Sequence, residues 1–141
     1  MKSKLPPSVV HRINAQCEHR DSSHEDLTRS SAVYAELVGM TNRHLKSSRD
    51  GGMSVKQKVL TLLAVHSIQG SEQNIEFAMT ASLQAGASEA EIRDSLDLAL
   101  LTGGGSAVWR VQFAANVLKL RLSAAGGGSE FDFIREAREL K

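Results

Sequence analysis

Apolar residues recur at intervals of three and four along most of the chain, while strict apolar–polar alternation does not, so the pattern predicts helices throughout. Pro6 and Pro7 suit the start of a short first helix running toward CEHRD. A longer second helix is predicted from near Ser23, where the acids of SSHEDL favour a first turn, with Leu27, Tyr34, Leu37 and Val38 on its apolar side. Gly39 is a candidate interruption, and KSSRDGG ends this helix, so the N-terminal helices span 7–47. Ser54 and Gln57 have the spacing of a capping box and open a third helix through VLTLLAVHSIQ. Gly70 breaks the chain, Ser71 caps a fourth helix, and Gly86 ends it as a left-handed residue would. Ser88 and Glu91 form a second capping-box pair ahead of EAEIRDSLDLALL, the fifth helix. Gly103 to Gly105 separate it from a sixth, SAVWRVQFAANVLKLRL, and Gly126 to Gly128 precede a C-terminal helix over 129–140.

The fold class expected from this pattern is all-α, a bundle of about six to seven helices joined by short connections. The fifth helix is apolar at Ile92, Leu96, Ala99 and Leu100, but Leu98 and Leu101 stand on its other side. The sixth shows Val108, Val111, Ala115, Leu118 and Leu122, with Trp109 and Phe113 elsewhere on its circumference. Helices apolar on more than one face need a second partner, and in so small a chain that partner is expected to be another subunit.

The length of 141 residues fits a single domain over 1–141. Its 17 basic and 16 acidic residues nearly cancel, so no overall field favours nucleic acid or an anionic membrane. The basic residues Arg43, Lys46 and Arg49 are too few, and lack interleaved aromatics, to argue otherwise. The single cysteine, Cys17, excludes an intramolecular disulfide and any multi-cysteine metal site. No apolar run suits a signal peptide or a membrane span, and a cytoplasmic protein is expected.

The segments MSVKQKVLTLLAV, NIEFAMTASLQAGASEAEIRDSLDLAL and LTGGGSA, lying between Met53 and Ala107, share their order, spacing and glycine punctuation with one family. In them the chain resembles the carboxymuconolactone decarboxylase family, which includes the alkylhydroperoxidase D proteins, with the core of the resemblance over 53–122. The resemblance implies an alkylhydroperoxidase D-like helical fold assembling into trimers or hexamers. It places the site between the third and fourth helices, near subunit contacts. Redox members carry Cys-x-x-Cys at the start of the fourth helix, a histidine four residues later and a glutamate one helix earlier. In this sequence the cysteine positions fall on Ser71 and Asn74, the histidine position on Ala78 and the glutamate position on Val59. A serine hydroxyl has no accessible thiolate-like state and asparagine forms no disulfide, so peroxidase or disulfide-reductase activity is not expected. The decarboxylase branch does not use the cysteines, but it usually retains the histidine that is Ala78 here.

His66 is the candidate substitute, two helical turns after Val59 and on the same face, where it could act as acid or base. Ser71, Asn74 and Glu76 are the candidate substrate-binding residues, since the amide of Asn74 can both donate to and accept from a carboxylate or lactone. Each has a structural alternative: His66 as a core residue, Ser71 as a helix cap, and Glu72 and Glu76 as charges near a helix N-terminus that meet a basic neighbour. TGGGSAVWR lacks the lysine and preceding strand of a nucleotide loop and reads as a tight interhelix turn, with Trp109 in the core or an interface. His11, Cys17, His19 and His24 place no three ligands on one helical face, so neither a metal nor another cofactor is expected. The expectation is an enzyme acting on a small organic acid or lactone. The alternative is a catalytically silent binding or assembly protein on the same scaffold.

Overall fold

The computed structural model describes residues 5–123, apart from the side chains of Cys17, Arg20 and Asp21. The predicted helix over 129–140 and the thiol of Cys17 therefore lie outside the described residues. Among the described residues six α-helices follow one another: α1 (Pro7–Ser30), α2 (Ala32–Lys46), α3 (Val55–Gln69), α4 (Glu72–Gln84), α5 (Glu89–Gly103) and α6 (Val108–Ser123). A 3-10 turn, Gly104–Ala107, links the last two, and the described residues hold no strand.

The N-terminal half departs from the sequence pattern. The predicted break near Ser23 is absent, and α1 runs straight through it to Ser30. Cap-type residues cluster there, but none is Gly or Pro, so the backbone is free to continue. The break falls instead at Ser31, whose extended backbone (φ −131°, ψ 110°) serves two helices at once. Its N–H donates to the carbonyl of Leu27 at 2.9 Å, ending α1, while its hydroxyl accepts from the N–H of Tyr34 at 3.2 Å and caps α2. Gly39 does not interrupt α2.

Between residues 54 and 123 the local signals hold. Ser54 and Gln57 exchange both capping-box bonds, at 3.2 and 2.8 Å, and Ser88 and Glu91 do the same at 3.1 and 2.8 Å. The α4 terminus closes with Gly86 at φ +87°: its N–H reaches Leu83 and the N–H of Ala87 reaches Ser82, the paired bonds of a Schellman motif.

Helix α4 lies at the centre, with α3 and α6 packed on it, α5 against α3, and α1 laid across it. Ile75, Ala78 and Met79 of α4 meet Leu63, Ile92, Leu96, Val117, Leu118 and Ile13 in the main core. Each large side chain fully buried there contributes about 1.5–3 kcal/mol. Phe113, read from the sequence as off the main stripe of α6, belongs to this core. Leu98 and Leu101 remain 60% and 83% exposed, and Trp109 is 51% exposed.

Candidate functional site at the turn between α3 and α4

The turn joining α3 to α4 is two residues long, Gly70 and Ser71. Gly70 donates its N–H to the carbonyl of His66 at 2.8 Å and then leaves the helix with extended geometry (φ −84°, ψ 176°). Its α-carbon is so close to His66 that a β-carbon there would fall 2.8 Å from the imidazole Nδ1 and from the backbone of His66. The absence of a side chain at position 70 is thus what lets the imidazole lie against the turn. His66 is half-buried, and burial lowers its pKa below the ordinary value of 6.5. Burial disfavours the charged ring and so favours the neutral imidazole.

Arg110 completes the turn from α6. Its Nε donates to the carbonyl of Gly70 at 3.0 Å, and its Nη1 donates to the carbonyls of Ile68 and Ser106, each at 3.2 Å. The guanidinium also stands over the ring of Trp109, 4.6 Å from its centroid. The 3-10 turn delivers it: Gly104 adopts φ +58°, a value strained for other residues, and turns the chain so that α6 starts beside the end of α3. Arg110 is not a residue that the sequence pattern singles out. TGGGSAVWR displays a cation beside an aromatic ring, but nothing in it says which helix end that cation will meet.

The predicted residues separate into two groups. Ser71 and Asn74 are exposed and adjoin His66 through the turn; the hydroxyl of Ser71 accepts from the N–H of Asn74 at 3.2 Å, which leaves the hydroxyl proton and the Asn74 side-chain amide facing solvent. Glu76 is fully buried, paired with Arg121 at 2.5 Å, and accepts from the hydroxyl of Thr80 at 2.9 Å, so the structure sets it between α4 and α6 rather than with Ser71 and Asn74. Glu72 pairs with Arg12 of α1. Val59 and Ala78 are wholly enclosed, the first against Leu45 and Ala81 and the second in the main core. Among the described residues no three potential metal ligands are gathered, and no helix is long and apolar enough to cross a membrane.

The carboxymuconolactone decarboxylase family model matches residues 32–119, more than half of the chain. The fold is similar to the crystal structure of an apo carboxymuconolactone decarboxylase family protein from Legionella pneumophila, with a TM-score of 0.65. The two are 16% identical over 77% of this chain and 96% of that one, so the likeness speaks for the fold. Among curated proteins, no sequence matches the chain.

Proposed function

This chain belongs to the carboxymuconolactone decarboxylase family, and on that premise we propose that it is a cytoplasmic, oligomeric enzyme without cysteine redox chemistry, acting on a small organic acid or lactone. The observation that carries this reading is the half-buried imidazole of His66 lying against Gly70 at a polar, solvent-facing turn, where burial favours its neutral form. Such an imidazole can take a proton from an acidic C–H or from water and return it later in the cycle. Ser71 and Asn74 hold the substrate beside it, through one hydroxyl donor and one amide. Glu76 supports α4 through its ion pair with Arg121 and does not contact substrate.

A second reading has its own support. The positions that carry glutamate and histidine in redox members are packed here with Val59 and Ala78, as expected of a scaffold that binds or assembles without catalysis. A thermal-shift screen of small lactones, aromatic acids and dicarboxylates, followed by turnover assays on each hit, separates the two. A ligand at about a hundred times its dissociation constant adds roughly 2.7 kcal/mol to the folded state. The enzyme reading expects turnover of a hit, lost in His66→Ala with fold and assembly intact. Binding with turnover unchanged in His66→Ala removes His66 from the chemistry, and hits with no turnover favour the silent scaffold.

A further inference from the structure

Building on the reading that the α3–α4 turn binds a small organic acid, we propose that Arg110 is its carboxylate-binding residue. Three of the five guanidinium N–H groups are spent on the carbonyls of Gly70, Ile68 and Ser106. The two on Nη2 meet no acceptor among the described residues. No carboxylate there pairs with Arg110 either, whereas Arg12, Arg93, Arg121 and Lys56 pair with Glu72, Glu89, Glu76 and Glu91. Glu72, in the first turn of α4, is committed to Arg12 and so does not neutralise this cation.

The alternative use of Arg110 is as a cap for the end of α3, and its bonds to Ile68 and Gly70 do serve that purpose. Capping accounts for Nε and Nη1 but leaves Nη2 unexplained. It also changes the local field. The turn brings the negative end of the α3 dipole next to the positive end of α4, and Arg110 covers the carbonyls of the first. Beside the Gly70 carbonyl that Arg110 holds, Ser71 and Asn74 are exposed, so the unspent Nη2 donors and these two polar side chains belong to one turn and are the groups from which a carboxylate would be bound. Three hydrogen bonds and the Trp109 ring already fix the guanidinium, so little side-chain freedom is lost when a ligand binds. The ligand class narrows accordingly: a carboxylate is held, and its neutral amide or ester counterpart is not.

Benzoate and its uncharged analogue benzamide are the probes, titrated into the full chain by calorimetry and by ¹H–¹⁵N NMR. The expected result is that benzoate binds and shifts the amide signals of Ser71 and Asn74, with benzamide at least ~10-fold weaker. Arg110→Lys keeps a charge but loses the planar fork, and is expected to weaken benzoate by a similar factor, whereas His66→Ala retains binding. Equal binding of benzamide, unchanged affinity in Arg110→Lys, or no benzoate binding overturns the proposal. If Arg110→Lys does not fold, the wild-type comparison of the two probes decides it alone. Loss of turnover in His66→Ala with benzoate affinity independent of Arg110 leaves the enzyme reading standing and removes this inference only.

Discussion

Glu76 and Arg121 form an ion pair closed between α4 and α6, with the two side chains 0% and 9% exposed and a 2.5 Å contact from Nη2 to Oε1. Forty-five residues separate them in sequence, and the hydroxyl of Thr80 adds a further bond to the same oxygen. Charges buried in this way stabilise weakly as a pair but are costly to leave single.

Replacing Arg121 by Met is therefore expected to destabilise the protein by about 3–5 kcal/mol, because the fully buried Glu76 carboxylate loses its 2.5 Å contact with the guanidinium. The double replacement Glu76→Leu with Arg121→Met should cost clearly less than the sum of the single changes. Urea unfolding of the four proteins in the cycle measures this; strict additivity would show that the two charges do not interact.

His66 makes stability depend on pH in a definite direction. Its folded pKa lies below the ordinary 6.5, so beneath that pH the unfolded chain takes up a proton that the native state declines. Stability should fall as the pH drops through 6.5 and level off below the native pKa, with no contribution from this group in more alkaline solution. His66→Gln should lack this part of the slope. Glu91, whose carboxyl is drawn below its ordinary 4.5 chiefly by the hydrogen bond from Lys56, loses its contribution only at more acidic pH and does so equally in both proteins. Denaturation midpoints from about pH 8 to about pH 5 would test the difference, and parallel profiles would contradict it.

Gly70→Ala should destabilise by about 1–3 kcal/mol, since the added carbon meets both ring and backbone of His66 and the turn cannot open without disturbing the bond from Arg110. The same change should alter the His66 pKa measured by NMR. A variant as stable as the parent, with an unmoved imidazole, would mean that the ring does not rest on Gly70.

Leu98, Leu101 and Trp109 give α5 and α6 an apolar surface that the described residues leave uncovered. If subunits meet there, Leu101→Glu should reduce the mass seen by light scattering to that of a smaller species while the helical circular dichroism signal persists. An unchanged assembly would move the contact elsewhere; the α2 face bearing Val33, Leu37 and Met40 is then the next surface to alter.

What the sequence by itself determined is local. The bonds of Ser54 with Gln57, of Ser88 with Glu91 and of Gly86 with the end of α4 join residues only a few positions apart, so their chemistry is complete without a partner. The all-helical pattern and the family resemblance are legible for the same reason. The tertiary structure decided the rest. Cap-type residues lie both near Ser23 and at Ser31, and the chain breaks only at the second, because a hydroxyl can cap a helix but does not forbid one. Spacing shows that Ser71, Asn74 and Ala78 share a side of α4, yet only packing places Ala78 in the core and Asn74 in solvent. Glu76, a candidate substrate contact in the sequence although it lies on the other side of that helix, is given by packing to Arg121. Arg110 reaches Gly70 across forty residues, a meeting that depends on how three helices and a 3-10 turn dock. Helical periodicity states which side chains travel together; which neighbour each one meets is set by the burial of the whole core.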